Sequence, residues 1–244
     1  MKAGGVLLAG SGALVAGAAL GHLLPGVTSW RGLRCWALPT LSGIGTADHV
    51  ALTFDDGPDP LSTPAILDQL DRLGWRATFF LLGSMVRAAP AMAEELRLRG
   101  HELGVHGDEH RSHLQRTPGA LRDDMARAYD SIVEATGVVP QWFRPPFGAL
   151  SAGSLASAHH LGLRPVLWTT WGRDWRAEAT PATVVADVAD GLVPGATVLL
   201  HDSDCTSAPE SWRSTLGALA PLAELFADRG LTVGPLSEHG LRAA

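Results

Sequence analysis

From residue 49 onward the sequence alternates between short apolar runs and longer amphipathic stretches, and this alternation constrains the fold more than any other feature. Short apolar runs bounded by turn residues are typical of buried strands, whereas longer periodic stretches are typical of helices. Repeated strand–helix units imply a parallel sheet, because each helix returns the chain to the edge where the previous strand began. The predicted strands are Val50–Phe54, Ala77–Leu81, Glu102–Val105, Trp142–Arg144, Arg164–Trp168, Thr197–Leu200 and Leu231–Gly234.

The predicted helices have recognisable boundaries. Three of them open with Thr-Pro, at Thr63, Thr117 and Thr180, which is a hydroxyl N-cap followed by proline at the first helical position. Glycines follow the predicted helix ends, where a left-handed residue is often needed. Seven strands fit either an open doubly wound sheet or an incomplete barrel, and their spacing does not choose between the two. The predicted helices cover residues 64–73, 90–99, 118–136, 151–161, 181–191 and 212–229.

The first 25 residues differ in kind from the rest of the chain. Val6–Leu24 is a run of 19 residues without a charged side chain, a length at the border between a signal-peptide core and a membrane-spanning helix. We expect residues 1–25 to be an export signal or an uncleaved membrane anchor, and the protein to be exported, either secreted or membrane-anchored. The predicted organisation continues with a linker over 26–47, a catalytic domain over 48–238 and a tail over 239–244.

Composition excludes some classes of function. A net charge of −6 and a pI near 5.9, without a cluster of Lys and Arg, argue against binding to nucleic acid. The two cysteines, Cys35 and Cys205, define no disulfide framework, although a bridge between them is open to an exported protein. The oligomeric state does not follow from the sequence.

Ionisable residues follow five of the predicted strands. Because the carboxyl ends of parallel strands meet at one edge, which is the catalytic edge of barrels and open sheets alike, we expect these residues to lie close together. They are the pair Asp55 and Asp56, the pair His106 and His110, Arg144, Asp174 and His201.

Two adjacent carboxylates and two imidazoles suit one metal centre. Together they can supply oxygen and nitrogen ligands to a divalent cation, with one carboxylate left over as a base. Each pair taken alone has an ordinary interpretation, since Asp-Asp-Gly-Pro is typical of a turn and two loop histidines are usually solvated. Their occurrence at the same predicted edge favours metal-assisted hydrolysis.

Five motifs carry a resemblance to a known family: Thr53–Pro58, His106-x-x-x-His110, Arg144–Gly148, Asp174-Trp175 and Leu199–His201. In this order and at these intervals they resemble the motifs of the polysaccharide deacetylase family, carbohydrate esterase family 4, over roughly residues 48–236. The resemblance implies an α/β fold, a distorted (β/α) barrel of seven parallel strands that forms a single catalytic domain behind the N-terminal hydrophobic segment. It also implies metal-dependent removal of acetyl groups from glycans such as chitin, peptidoglycan or xylan.

The resemblance implies a role for each matching residue. Asp56, His106 and His110 would bind the metal and leave an open position for water. Zinc is the usual metal of the family, although cobalt, nickel or manganese also suits such a ligand set. Asp55 would be the general base, and Arg144 would pair with it and orient it.

The remaining family roles concern the leaving group and the acetyl pocket. His201 would be the general acid that protonates the departing amine or alcohol, and Asp174 would hydrogen-bond this histidine and keep it protonated. Trp175 and Leu199 would wall the acetyl pocket, and the backbone N–H at Phe147 would meet the oxyanion together with the metal.

Two positions depart from the family pattern. Gly107 stands where a Ser or Thr usually ties the metal-binding loop, so either Asp108, Glu109 or backbone groups replace that hydroxyl or the metal is held less tightly. Trp171 stands where the fourth motif usually has an acid, and it is a candidate for stacking on a sugar ring. His113 matches no motif and is expected to be exposed.

The sequence thus predicts a metal-dependent hydrolase acting on an acetylated polysaccharide, either a cell-wall glycan of the N-acetylglucosamine type or a chitin-like oligomer. Two alternatives stay open: an amidase that acts on a small non-sugar amide, and a glycan-binding relative that has lost turnover.

Overall fold

The strands of the molecule are all parallel, as their alternation with helices predicts. The computed structural model describes residues 20–241. All seven predicted strands are present there, shifted by a few residues, and Thr170–Trp171 is an additional strand. The strands are β1 His49–Asp55, β2 Thr78–Leu82, β3 Glu102–Gly107, β4 Trp142–Phe143, β5 Arg164–Pro165, β6 Thr170–Trp171, β7 Thr197–His201 and β8 Thr232–Gly234.

Sheet order decides between the open sheet and the barrel. Neighbouring strands run in the order β5-β4-β3-β2-β1-β7-β6, with β8 also paired to β1. A flat sheet would place its outer strands, β5 and β6, about 29 Å apart across six gaps. The chain from Pro165 to Thr170 can span only about 17 Å. The sheet therefore curls into a distorted, incomplete barrel, in agreement with the family resemblance.

The predicted strand Arg164–Trp168 is shorter in the structure because this segment leaves one edge of the sheet and joins the other. β5 pairs with β4 and β6 pairs with β7. Between them the N–H of Leu167 donates to Leu41 O at 2.7 Å and the N–H of Thr169 donates to Thr197 O at 3.0 Å.

All six predicted helices are present, and Arg31–Ala37 and Gly83–Ala88 are further helices that were not predicted. Thr117 and Thr180 cap their helices by accepting from the N–H groups of Ala120 and Thr183. Thr63 makes no such cap: its hydroxyl accepts from the N–H of Asp59 and donates to the carboxylate of Asp202. The helices are α1 Arg31–Ala37, α2 Thr63–Leu73, α3 Gly83–Ala88, α4 Pro90–Leu98, α5 Pro118–Thr136, α6 Ala152–His160, α7 Pro181–Gly191 and α8 Trp212–Asp228.

The N-terminal prediction lies largely outside the described residues, since the export signal or anchor predicted over 1–25 is described only from Leu20 onward. Between residues 20 and 241, no helix has the length and apolar character that crossing a membrane requires. The stretch expected to be a linker contains α1, and its Arg34 is buried and donates to Trp168 O at 2.6 Å. Cys35 and Cys205 are both free thiols.

The core lies between the sheet and its helices, and it fixes where the strand ends are. Every residue of β1 and β2 is buried, and the rings of Phe54 and Phe79 stack at 4.9 Å. Burying one such ring stabilises the fold by about 1.5–3 kcal/mol. The carboxyl ends of β1, β3, β4 and β7 are thereby held side by side at one edge, where the candidate site lies.

Candidate active site

The two adjacent carboxylates both face one pocket because the backbone turns between them. Successive side chains of a strand point to opposite faces, but Asp56 follows β1 with a φ of +79°. This left-handed conformation costs of order 1–3 kcal/mol for a residue with a Cβ. It brings the carboxylates of Asp55 and Asp56 into the same pocket.

The three predicted metal ligands meet at the pocket floor. Asp56 Oδ1 lies 3.3 Å from His106 Nε2 and 3.5 Å from His110 Nε2, and one ligand atom from each residue lies within 4.8 Å of the others. Two ligands bound 2.0–2.2 Å from one tetrahedral ion are about 3.3–3.6 Å apart. The spacing around Asp56 thus suits a single small cation.

The donor atoms themselves also fit a cation. His106 Nδ1 lies 2.8 Å from Arg144 O, so the proton on Nδ1 donates to that carbonyl and Nε2 keeps its lone pair, the usual arrangement of a metal-binding imidazole. Asp56 Oδ1 is buried and has no hydrogen-bond partner within residues 20–241. An unpartnered buried carboxylate oxygen is costly unless a cation satisfies it.

Electrostatics around these residues favour a charged carboxylate. Burial opposes ionisation of Asp56, but the neighbouring imidazole of His106, together with those of His201 and His110, outweighs it and holds the pKa of Asp56 well below its usual range. Burial lowers the pKa of His110 to about 4, which leaves that imidazole neutral near pH 7. Burial also opposes protonation of His106, but Asp55 and Asp56 raise its pKa. A proton on His106 and a bound cation therefore compete for the space between these side chains.

Arg144 binds Asp55 on the side away from the candidate metal site. Its Nη1 donates to Asp55 Oδ1 at 2.8 Å and to Thr53 Oγ1 at 2.7 Å, and its Nη2 donates to Leu167 O at 2.9 Å. The guanidinium is fully buried and lies 4.1 Å from the ring centre of Phe80. Asp55 Oδ2, on the other side, lies 3.8 Å from His106 Nε2. The pair fixes one carboxylate oxygen and leaves the other at the candidate metal site.

His201 is held by Asp174 in the same manner. His201 Nδ1 lies 2.8 Å from Asp174 Oδ1, and the backbone N–H of His201 donates to Asp174 Oδ2 at 2.8 Å. Thr215 donates to that second oxygen at 2.6 Å. Burial opposes the imidazolium, but the charge of Asp174, together with those of Asp56 and Asp55, raises the pKa of His201 to about 10. With Nδ1 engaged, Nε2 is the atom left to exchange a proton.

The pocket between these groups has a volume of about 240 Å³. Eight of the ten predicted site residues line it, and Arg144 and Asp174 lie behind it in contact with Asp55 and His201. The volume is below the 300–1,000 Å³ that is usual for whole small ligands, so it suits one small group of a larger substrate. Those eight are Asp55, Asp56, His106, His110, Phe147, Trp175, Leu199 and His201.

Aromatic rings form the walls of this pocket. Trp175 lies edge-on to His201, with ring centres 5.6 Å apart, and edge-on to Trp171 at 5.1 Å. On the opposite side Phe147 meets His110 at 4.4 Å, and its side chain is 62% exposed. Phe147 has a φ of +59°, which turns the backbone of the short helical turn Pro146–Gly148 at the pocket rim. Trp171 also lies in the pocket wall.

A profile of the family described as polysaccharide deacetylase matches residues 43–166, just over half of the chain. A chitooligosaccharide deacetylase of Bradyrhizobium sp. (strain ANU 289) is 34% identical over 197 residues, which cover 78% of this chain and 89% of that protein. The chain belongs to the polysaccharide deacetylase family.

Other members of the polysaccharide deacetylase family extend the comparison. A peptidoglycan-N-acetylglucosamine deacetylase of Bacillus cereus is 31% identical over 209 residues, which cover 85% of this chain and 92% of that protein. The crystal structure of the Bc1960 peptidoglycan N-acetylglucosamine deacetylase superposes with a TM-score of 0.75 at 26% identity, over 82% of this chain and 92% of that one. Both the sequence and the fold are thus shared along most of the chain.

The departure of this family member at Gly107 has a structural counterpart. Gly107 has a φ of +109°, a conformation that side-chain-bearing residues rarely adopt, and an added Cβ would lie 3.2 Å from Asp124 Oδ2. Asp108, the next residue, holds the loop in place instead. The N–H of Asp108 donates to Asp124 Oδ2 at 2.9 Å. The buried carboxylate of Asp108 accepts from Arg87 at 2.6 Å and from Arg127 at 3.0 Å.

Several residues of the site were not found by sequence reasoning. Thr206 donates to Asp56 Oδ2 at 2.6 Å and lines the pocket with Ser207. No motif marks Thr206, because its partner lies 150 positions away in the chain. The expectation for His113 was wrong: this residue is fully buried, with Nδ1 at 3.1 Å from Ser154 Oγ and its ring stacked on Phe143.

Proposed function

We propose that this protein is a metal-dependent deacetylase that hydrolyses the N-acetyl amide of N-acetylglucosamine-type residues in a cell-envelope glycan or a chitin-like oligomer. One observation carries the proposal. The unpartnered Oδ1 of Asp56 lies near two imidazoles in a pocket of about 240 Å³, with Asp55 and His201 also lining it.

The residues present fit a divalent metal ion, and we propose Zn²⁺, with Co²⁺, Ni²⁺ or Mn²⁺ as alternatives. Asp56 Oδ1, His106 Nε2 and His110 Nε2 would hold it. A cation held there polarises an acetyl carbonyl and lowers the pKa of a water molecule.

Asp55 is the proposed general base. Its Oδ2 faces the metal site and takes the proton of the attacking water, while Arg144 fixes Oδ1. A guanidinium suits this role because it stays charged even when buried. The backbone N–H of Phe147 is the proposed partner of the oxyanion that forms from the acetyl carbonyl.

His201 is the proposed general acid on the leaving-group side. Its proton passes to the amide nitrogen as the C–N bond breaks, giving the free amine and acetate. Asp174 supports this step because it raises the pKa of His201 to about 10 against the effect of burial, so the imidazolium is the resting form near neutral pH. Trp175 and Leu199 exclude water from the acetyl methyl group.

Location follows from the substrate and from the N-terminal segment. We propose that the protein is exported and works on the outer side of the cytoplasmic membrane, and that residues 6–24 act as its export signal or anchor. The similarity to a peptidoglycan deacetylase and the uncharged character of this run support the proposal.

Acetate release from N-acetylglucosamine oligomers tests the proposal. We expect release by the zinc-loaded protein, its loss on chelation, its recovery on adding zinc, and its loss in Asp55→Asn with zinc still bound. A matched control is Asp190→Asn, at an exposed position of α7. Turnover of small acetylated amides but not of glycans would identify the amidase instead. Zinc binding without hydrolysis of any acetylated substrate would identify a binding protein.

A further inference from the structure

Exposed apolar side chains are concentrated in one short segment that the catalytic site does not use. Fourteen large apolar residues are exposed in the described chain, and eight of them fall within residues 20–38. These 19 residues are fewer than a tenth of the described chain, so the concentration is far above an even distribution. We call residues 20–38 the apolar face. Its most exposed members are Trp36 at 83% and Trp30 at 73%.

The apolar face is fixed to the barrel by its polar side. In α1, Leu33 and Trp36 are both exposed, and because they are three residues apart they lie on the same side of the helix. Arg34 points inward and donates to Trp168 O at 2.6 Å, to Thr28 O at 2.7 Å and to Ser42 Oγ at 3.2 Å. Arg31 donates to Gly191 O at 2.9 Å. Buried hydrogen bonds thus hold the segment in a fixed orientation while its tryptophans and leucines face outward.

The residue types of the apolar face indicate what covers it. Tryptophan is enriched at the level of lipid headgroups, where its ring is buried and its N–H stays hydrated. Contiguous exposed apolar surface on a protein marks a partner or a membrane. The uncharged run Val6–Leu24 leads directly into this face along the chain. A bilayer is the occupant that suits both the run and the face.

Charge distribution agrees with that occupant. Asp48 is the first acidic residue of the chain, so residues 1–47 carry Lys2, Arg31 and Arg34 and no carboxylate. Residues 48–244 carry 16 basic and 25 acidic side chains, a net charge of −9. An anionic lipid surface attracts the first part and repels the second. This asymmetry favours one orientation, with the apolar face toward the lipid.

We propose that the apolar face, with Trp30 and Trp36 at its centre, lies in the headgroup region of an anionic lipid bilayer. The catalytic domain is thereby held in one orientation against the membrane surface. The proposal concerns a surface outside the catalytic site and does not depend on the proposed activity.

Fluorescence of the full chain on vesicles tests this proposal. Vesicles of phosphatidylcholine and phosphatidylglycerol, with and without bromine on the acyl chains, would be mixed with the wild-type protein and with Trp30→Gln/Trp36→Gln. Bromine quenches tryptophans that reach the acyl boundary. We expect quenching of the wild type and loss of most of that quenching in the double variant. Trp212→Gln, which removes a tryptophan from α8, should be quenched as the wild type is.

Quenching is measured rather than vesicle binding, because residues 1–19 can bind both the wild type and the double variant to a vesicle whether or not the apolar face touches the lipid. Wild-type protein that does not bind the vesicles, or binds them without quenching, would overturn the proposal. So would equal quenching of the double variant, which would place the quenched tryptophans elsewhere. A lipid-free dimer that dissociates in the double variant, with no quenching of the wild type, would show that a second copy covers the face. Acetate release from soluble oligomers should be the same in all variants, which separates this test from that of the catalytic function.

Discussion

The hydroxyl of Thr206 donates a 2.6 Å hydrogen bond to Oδ2 of Asp56. This bond occupies one carboxylate oxygen and leaves Oδ1, the atom nearest both His106 Nε2 and His110 Nε2, free for a cation. Partners of metal ligands fix the ligand orientation, and losing one typically costs 10–100-fold in metal affinity. Thr206 is therefore a positioning residue for the candidate metal site.

Replacing Thr206 by valine keeps the shape and removes the hydroxyl. We expect Thr206→Val to bind zinc about 10–100-fold more weakly, as measured by competition with a chelator of known affinity. Thr206→Ser retains the donor and should bind zinc as the wild type does. Equal zinc affinity in the valine and wild-type proteins would show that the hydroxyl does not orient Asp56.

Asp108 should stabilise the loop that carries His110. Its carboxylate is 5% exposed and bonds to two arginines that are each about half exposed. Asparagine keeps the size of the side chain but turns two charge-assisted bonds into neutral ones, and each change is worth about 1 kcal/mol. We expect Asp108→Asn to lower the free energy of unfolding by about 2 kcal/mol.

Urea unfolding at neutral pH measures this difference. Asp123→Asn is the matched control, because Asp123 lies on α5 with a side chain that is 62% exposed. If Asp108→Asn were no less stable than that control, the loop would not depend on the Asp108 network.

The charge of Asp174 should set the alkaline limit of deacetylation. Burial disfavours the imidazolium of His201, and Asp174 outweighs burial, so the pKa of His201 is raised to about 10. The acid form is therefore present at neutral pH and is lost as the pH rises. In Asp174→Asn the raising charge is gone, and the alkaline limb of kcat/KM should move down by about 1–3 pH units. An unmoved limb in an active variant would exclude His201 as the acid that Asp174 supports.

Asp202 should make the stability of the metal-free protein depend on pH. Burial raises the pKa of its carboxyl to about 7, helped by the negative charge of Asp56. The folded state thus binds a proton that the unfolded chain releases near pH 4, so stability falls as the pH rises from about 4 to about 7. Asp202→Asn cannot ionise and should lack this loss.

Unfolding in urea after chelator treatment, at pH 5 and at pH 8, measures the effect. The stability of Asp202→Asn relative to the wild type should be greater at pH 8 than at pH 5 by about 3 kcal/mol, since each pH unit between pH 5 and the folded pKa contributes about 1.4 kcal/mol. Asp190→Asn, exposed on α7, controls for the loss of one charge. A difference that is the same at both pH values would mean that Asp202 does not titrate in this range.

The sequence was sufficient to find the ends of the strands and therefore the edge of the sheet. Asp55, His106 and His201 each end a buried apolar run, and in a parallel sheet such ends must lie side by side. The pairing of Asp55 with Arg144 required the family resemblance, since 89 positions separate the two residues.

By itself, then, the sequence determined the parallel strands, the family and the ten candidate site residues. Periodicity and motif spacing are local properties, so they can be read without knowing the contacts between distant segments. The family resemblance implied a barrel, whereas strand spacing left the choice open, and only the tertiary structure showed how the sheet curls. Only four residues, 166–169, join its two outer strands, and so short a link forces the sheet to curl, a constraint visible only once the pairing order is known. The partners of the catalytic groups, such as Thr206 beside Asp56 and Thr215 beside Asp174, were likewise decided by the curl, since contacts between distant segments depend on how the strands pack in space.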